Sequence, residues 1–347
     1  MKVFWNPIQL AHRPEFFLQR GRLRQNFEVP ARAEALLAAC QAMGLEIVAA
    51  QAVAADALLA VHDAGYLRFL EHGHAAWAAL EDAGPEIVSS IHLSPEMACQ
   101  GGGPPVSIAG QAGFYMADSA CPIGADTWPA VIAAGAGALA AAEEAAGGRS
   151  AYVLARPPGH HAYAARAGGH CYANNAALAA AHLRRRGAAR VAVLDIDSHH
   201  GNGTQGIFWD RDDVFFASIH GDPNHYYPWF TGHADERGGP SGLGANLNFP
   251  LPIGSGDEVW LAAIGHAIAA IQTFGAEALV VSLGFDASKD EPLNALAVTE
   301  TGFARAGAAI AALQRPTVLV QEGGYNVGEI GRLLTRFLDG FRGGFGG

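Results

Sequence analysis

Asp195, Asp197 and His199 occupy alternate positions at the end of an apolar run that contains Val191, Val193, Leu194 and Ile196. Residues two apart in a strand face the same side, so this spacing predicts that Asp197 and His199 point together with Asp195 in line behind them. A carboxylate and an imidazole at that spacing, followed by the turn Gly201-Asn202-Gly203, suit a Zn²⁺-type divalent ion. Three other apolar runs end in reactive side chains. Ala151–Ala155 leads into Arg156-Pro157-Pro158-Gly159-His160-His161, Ala278–Gly284 into Phe285-Asp286, and Thr317–Gln321 into Glu322-Gly323-Gly324-Tyr325. Ligands of open α/β sheets sit beyond the carboxyl ends of the strands, so four exits of this kind point to one site.

The residue types suit metal-assisted amide hydrolysis. Three protein ligands that leave a coordination position open allow an ion to hold water and a carbonyl oxygen together; Asp197, His199 and Asp286 supply them. One group must take a proton from water and one must protonate the departing amine. His160-His161 suits that work, with Asp195 and Asn202 as partners that would push the two imidazoles' pKa values apart. Tyr325, on its glycine turn, can donate to a developing oxyanion.

The elements that must carry these groups alternate. Strands are expected at Lys2–Trp5, Ala151–Ala155, Arg190–Asp197, Val214–His220, Ala278–Gly284 and Thr317–Gln321. Helices are expected at Arg32–Met43, Trp128–Ala146, Asn175–Arg186, Asp257–Phe274 and Thr301–Leu313. This pattern predicts an α/β fold with a central, mainly parallel sheet and helices on both faces. No linker, charge block or repeat divides residues 1–347, so one domain is expected, with residues 91–128 an irregular insertion forming a lid or a subunit contact. Half of the chain is hydrophobic and 16% is charged, and 22 basic residues against 33 acidic ones leave a net charge of −11. Such a balance disfavours nucleic acid and anionic membrane as partners. The segment Val131–Ala146 is Ala- and Gly-rich, carries Glu143 and Glu144, and is too short to span a bilayer. Cys40, Cys99, Cys121 and Cys171 form no C-x-x-C pair, which fits a reducing, cytoplasmic setting.

Several of these segments also resemble the histone deacetylase superfamily. They are Arg-Pro-Pro-Gly-His-His at 156–161, Gly-Gly-His-Cys-Tyr-Ala-Asn-Asn at 168–175, Asp-Ile-Asp-Ser-His-His-Gly-Asn-Gly-Thr-Gln at 195–205, Gly-Phe-Asp at 284–286 and Glu-Gly-Gly-Tyr at 322–325. Val-His-Asp-Ala-Gly-Tyr-Leu at 61–67 extends the match. Within the superfamily the chain looks most like bacterial acetylpolyamine amidohydrolases and histone deacetylase-like amidohydrolases. The resemblance implies the arginase/deacetylase fold and one Zn²⁺ per chain held by Asp197, His199 and Asp286. It implies His161 as general base and acid, His160 as its electrostatic partner and Tyr325 as carbonyl polariser. It also implies a structural K⁺ at Asp195, Asp197, His199, Ser218 and Ile219, and a more peripheral one near Phe208, Arg211 and Val214. A homo-oligomer, dimer or tetramer, is expected.

Departures from the family bear on the substrate. His170 stands where an aromatic wall residue is usual, opposite Tyr227, and makes the tunnel more polar and titratable. Where the polyamine enzymes carry acidic loop residues, this chain has Ala109 and Ala120, with Asp118 nearby. Ser198 replaces a bulky apolar residue between two ligands. The expected function is therefore zinc-dependent removal of a short acyl group from a small amine such as an acetylpolyamine or an acetyl-lysine-like substrate. Hydrolysis of neutral small-molecule amides is the alternative. A binuclear manganese ureohydrolase would need a second ligand set that His160-His161 lacks. A non-catalytic acyl-amine binding protein would be signalled by a lost ligand, and every ligand position is present.

Overall fold

The computed structural model describes residues 1–293 and 295–344. Its strands are β1 (Lys2–Trp5), β2 (Phe16–Gln19), β3 (Arg22–Gln25), β4 (Glu46–Ala49), β5 (Ala151–Val153), β6 (Val191–Asp195), β7 (Val214–Gly221), β8 (Asn246–Leu251), β9 (Ala278–Leu283) and β10 (Thr317–Gln321). All but β2 and β3 form one sheet in the order β4-β1-β5-β10-β9-β6-β7-β8, and every pairing in it is parallel. The helices are α1 (Pro30–Ala42), α2 (Ala64–Ala78), α3 (Pro95–Cys99), α4 (Ile108–Tyr115), α5 (Thr127–Ala146), α6 (Asn175–Arg185), α7 (Asn202–Phe208), α8 (Asp257–Phe274), α9 (Glu300–Ala311) and α10 (Ile330–Gly344).

Strand pleating divides the core in two. Val191 and Val193 of β6, Val280 of β9 and Val318 and Val320 of β10 face one cluster, which takes in Val131 of α5 and Leu178 of α6. Ala192, Leu194, Leu279, Val281 and Leu319 alternate with them and face a second cluster with Leu36, Trp260, Phe303 and Phe337 from α1, α8, α9 and α10. Burial on both faces is why these strands read as continuous apolar runs. The alanine and glycine of α5 let it lie close on the sheet: a Cβ at Gly137 would sit 3.1 Å from the Val153 side chain. No helix among the described residues is long and apolar enough to cross a membrane.

The chain is a single α/β domain with a central parallel sheet, as the alternation predicted. Several elements depart from expectation. The short strand β4, the edge strand β8, the hairpin β2–β3 (an antiparallel pair) and helices α2, α7 and α10 were not anticipated. Residues 91–128 are less irregular than expected, since they hold α3, α4 and the start of α5. The expected strand Arg190–Asp197 ends at Asp195, which changes how Asp197 and His199 come to face each other.

Candidate active site

The four expected exits belong to β5, β10, β9 and β6, which are consecutive neighbours in the sheet. Parallel pairing therefore delivers His160-His161, Glu322 to Tyr325, Asp286 and Asp197-His199 to one edge. Asp197 and His199 lie beyond the last strand residue, so a loop orients them and the strand pleat does not. Asp195 Oδ1 accepts from Asp197 N at 3.1 Å, and Asp197 Oδ1 accepts from His199 N at 2.9 Å. Gly284 and Gly323 close around the carboxylates, where a Cβ at either position would run into Asp197. Gly323 N donates to Asp197 Oδ2 at 2.8 Å, and Ser198 N to Asp286 Oδ1 at 2.8 Å.

His199 Nδ1 lies 3.1 Å from Asp197 Oδ1 and 2.9 Å from Asp286 Oδ2. All three side chains are buried, and their ligand atoms lie within 4.8 Å of one another. Donor atoms around an ion with bonds of about 2.0 Å in tetrahedral geometry stand about 3.3 Å apart, so the spacing fits a small divalent cation. The donor set fits as well, because two buried carboxylates side by side call for a positive charge. Burial opposes a charge on His199, yet Asp286 and Asp197 outweigh it and raise its pKa to about 9. The group is a candidate metal site.

The two adjacent histidines have different surroundings. His160 Nδ1 lies 2.9 Å from Asp195 Oδ2, and its Nε2 lies 3.8 Å from Asp197 Oδ1. Burial disfavours its charge, but Asp195 and then Asp197 prevail and lift its pKa to about 10. His161 Nδ1 lies 2.6 Å from Asn202 Oδ1. Burial, then the positive charges of His160 and His199, push its pKa well below the ordinary imidazole range. Two imidazoles pushed in opposite directions thus stand 4.0 Å apart, ring centre to ring centre. Tyr325 is buried, and burial holds its phenol protonated, with a pKa well above 10.

The residues expected to wall a tunnel stand beside the histidines and Tyr325. Tyr227 stands edge-on to His161 at 5.0 Å, and His170 faces Tyr325 at 5.8 Å. His170 is not titratable near neutrality, contrary to expectation, because burial lowers its pKa to about 4. Its backbone is left-handed, with φ of +67°. Asp118 is committed to holding the wall. It accepts from Tyr227 Oη at 2.5 Å, Ala120 N at 2.8 Å and Gly169 N at 3.1 Å. Ser198, the departure between two ligands, hydrogen-bonds Tyr226 Oη at 3.0 Å, and Tyr226 stacks on His199 at 4.5 Å. Asp195 and Ser218 are register partners on β6 and β7, with Ile219 next, so the positions expected to hold potassium are adjacent.

Five supporting residues escaped the sequence reading. Glu322 accepts from Gly159 N at 2.7 Å and His160 N at 3.1 Å. Glu291 accepts from Tyr325 N at 2.8 Å. Arg32 donates to the carbonyls of Gly324 and Glu322 and lies over the Tyr325 ring at 4.8 Å. Phe17 packs edge-on against His170 at 5.4 Å, and Tyr226 completes the set. Glu322 could have been found, since it opens the same motif as Tyr325. Glu291 sits in the acidic run Asp290-Glu291-Pro292. Phe17, Arg32 and Tyr226 carry no local signal.

Comparison with known proteins agrees with this geometry. Residues 26–341 match the histone deacetylase domain family. The chain is 45% identical over 343 residues to an acetylpolyamine amidohydrolase of Burkholderia pseudomallei, covering 98% of each chain. It is 44% identical to acetylpolyamine amidohydrolase 1 of Pseudomonas aeruginosa, covering 93% of each. It is 41% identical to the acetylpolyamine amidohydrolase of Mycoplana ramosa, covering 99% of this chain and all of that one. A crystal structure of acetylpolyamine aminohydrolase from B. pseudomallei superimposes with a TM-score of 0.95 at 44% identity, covering 99% of each chain. A fold, a site and a near full-length likeness that agree in this way place the chain in the histone deacetylase family.

Proposed function

We propose that this protein is a zinc-dependent amidohydrolase that removes an acetyl group from a small acetylated amine, with acetylpolyamines as the substrate class. The observation that carries the reading is the convergence of Asp197, His199 and Asp286 with a neutral His161 and a buried Tyr325 at one sheet edge. Full-length likeness to proteins named acetylpolyamine amidohydrolases supports the substrate class.

Asp197, His199 and Asp286 would hold one Zn²⁺. When bound, the ion would supply Lewis acidity to the amide carbonyl and lower the pKa of water beside it. His161, uncharged and anchored through Nδ1, keeps Nε2 for the proton that water gives up, then returns that proton to the amine. His160 stays protonated between Asp195 and Asp197, a fixed positive charge beside the reacting atoms. Tyr325 donates its phenolic proton in a hydrogen bond to the carbonyl oxygen as negative charge develops there.

Structural K⁺ ions at Asp195, Asp197, His199, Ser218 and Ile219, and near Phe208, Arg211 and Val214, remain part of the reading. The first set draws support from the buried, adjacent oxygen-bearing positions of β6 and β7. We read residues 91–128 as a lid or subunit contact of a homo-oligomer, dimer or tetramer, because Ile91, Met97 and Val106 are 55%, 46% and 98% exposed. A cytoplasmic setting suits four free cysteines.

Hydrolysis of neutral amides is the second reading. The commitment of Asp118 to Tyr227, Ala120 and Gly169 favours it, because that carboxylate is then not free to meet an ammonium. One assay tests both. Zinc-loaded protein is given acetylputrescine, acetylspermidine, an acetyl-lysine peptide and a neutral N-alkyl acetamide, alongside Asp286→Ala. The acetylpolyamines should turn over, and the variant should lose zinc and activity together. Turnover of the neutral amide alone would exclude the polyamine reading, and a fully active Asp286→Ala would exclude the metal assignment.

A further inference from the structure

A phenol that polarises a carbonyl and an imidazole that handles the proton act on one amide group, so their separation must be held as closely as the place of either. In this chain they stand on two different turns, 322–325 after β10 and 156–161 after β5. We propose that Glu28, in the loop before α1, is a positioning residue for the reaction: its carboxylate closes a ring of contacts that fixes the tyrosine turn against the histidine turn. The inference rests on the reading of Tyr325 as carbonyl polariser and His161 as base.

Arg32, in the first turn of α1, donates from Nη1 to Glu28 Oε1 at 2.7 Å. The same guanidinium donates from Nη2 to Glu322 O at 2.7 Å and from Nε to Gly324 O, and it lies over the Tyr325 ring at 4.8 Å. Glu322 reaches the other turn, where its carboxylate accepts from Gly159 N at 2.7 Å and His160 N at 3.1 Å. Arg156 opens that turn and leads back to the start. Its Nη2 donates to Glu28 O at 3.4 Å, and its Nε lies 2.9 Å from Glu28 Oε1, an ion pair without a hydrogen bond. One carboxylate oxygen therefore faces both guanidiniums, and each guanidinium grips one turn.

Burial gives that oxygen its weight. Glu28, Arg32 and Arg156 are all removed from water, and two guanidiniums within 2.9 Å of one oxygen repel each other with little screening. Glu28 Oε1 offsets this repulsion from between them. Its second oxygen is buried without a hydrogen bond and has His12 Nε2 at 3.7 Å, so the side chain's hold on both turns passes through Oε1. The two turns do not depend on it equally. The histidine turn keeps Asp195 and Asn202 on its rings and Gln9 and His12 on Arg156. The tyrosine turn contains Gly323 and Gly324, the latter at φ of +114°, and gives way more readily. When the ring opens, Tyr325 is the group that moves.

The test asks whether Glu28 matters only while the phenol is present. Glu28→Gln keeps the shape and removes the charge between the guanidiniums, whereas Glu28→Asp keeps the charge and shortens the arm by a methylene. With kcat for acetylputrescine measured per bound zinc, Glu28→Gln should cost about tenfold and Glu28→Asp about fivefold, the scale of a sub-ångström misplacement, with KM within about twofold. In a Tyr325→Phe background, where no phenol is left to place, each substitution should cost less than about twofold. Equal losses in both backgrounds would show a merely structural role, and an unchanged kcat per zinc in the native background would remove Glu28 from the mechanism; either result overturns the inference. Glu28→Asp carries the test if Glu28→Gln does not fold. Tyr325→Phe alone is the separating control: if it keeps full kcat, the polariser reading fails and takes the inference with it, whereas an impaired Tyr325→Phe beside unaffected Glu28 variants sinks the inference and leaves that reading standing.

Discussion

The environments of His160 and His161, adjacent in sequence, push the two imidazoles in opposite directions. His160 is held by charge, from Asp195 at 2.9 Å and Asp197 at 3.8 Å, with Glu322 receiving its backbone N–H. His161 is held by neutral groups, with Asn202 on Nδ1 and Tyr163 behind Asn202. One side keeps a proton and the other keeps a lone pair. Residue type is therefore a poor guide to duty here, and the second partner of each ring is a good one.

The largest expected effect compares the two rings directly. His161→Ala should lower kcat about 10³-fold with zinc content unchanged, whereas His160→Ala should cost about 10²-fold. Equal losses, with metal measured in both, would break the division of labour. Next comes Asp195→Asn, which removes the main charge holding the His160 proton. A loss of about 30-fold in kcat is expected if that charge matters, and a loss below about threefold would mean His160 works uncharged.

The neutral side has its own signature in stability. His62 supports it from below, with Nε2 accepting from Asn174 N at 2.9 Å, while Asn174 Nδ2 reaches Ala162 O and Thr204 Oγ1. Burial lowers the His62 pKa to about 4. A depressed histidine leaves the unfolded chain the better proton acceptor, so stability is intact above pH 6.5 and falls as pH drops toward 4. The contribution is on the order of 3 kcal/mol. Urea unfolding between pH 4 and 7 should show a shallower dependence for His62→Gln; an unchanged slope would place the acid sensitivity elsewhere. The smallest effect concerns the wall. Asp118→Asn weakens the hold on Tyr227 and should raise KM about threefold with kcat retained. A collapse of kcat would mean that Asp118 reaches the reacting groups.

The chemistry was legible in the sequence because it breaks a packing rule. Ionisable and reactive side chains just beyond apolar runs have no core use, and four such endings pointed to one candidate site. Asp197 and His199 do come together, but by another route than the strand pleat, since a loop beyond Asp195 and two glycines orient them. The strands β3 and β4 were not legible because they are short and largely solvent-facing, which erases the alternation. The helix α10 was legible and was passed over: Ile330, Leu333, Leu334, Phe337, Leu338 and Phe341 recur at helical spacing. Phe17 and Arg32 could not be read, because what they do depends on a tertiary contact with His170 or Tyr325. The substrate wall was the least legible part, since His170 looked titratable until its burial was seen.

The family model matches from residue 26, although likeness to whole relatives runs over nearly the entire chain, and part of the site's floor is laid before that border. Gln9 Oε1 accepts from Arg156 N at 2.6 Å, the Arg156 guanidinium is bound by the carbonyls of Gln9 and His12, and Phe17 covers His170. Arg156 opens the turn that carries His160 and His161. A fragment trimmed to the family model's borders would strip the cover from His170 and leave the buried Arg156 guanidinium without the carbonyls of Gln9 and His12. The part of the chain that builds the candidate site is thus larger than the span the family model matches, and its extra part is a leading segment with no side chain among the candidate metal ligands.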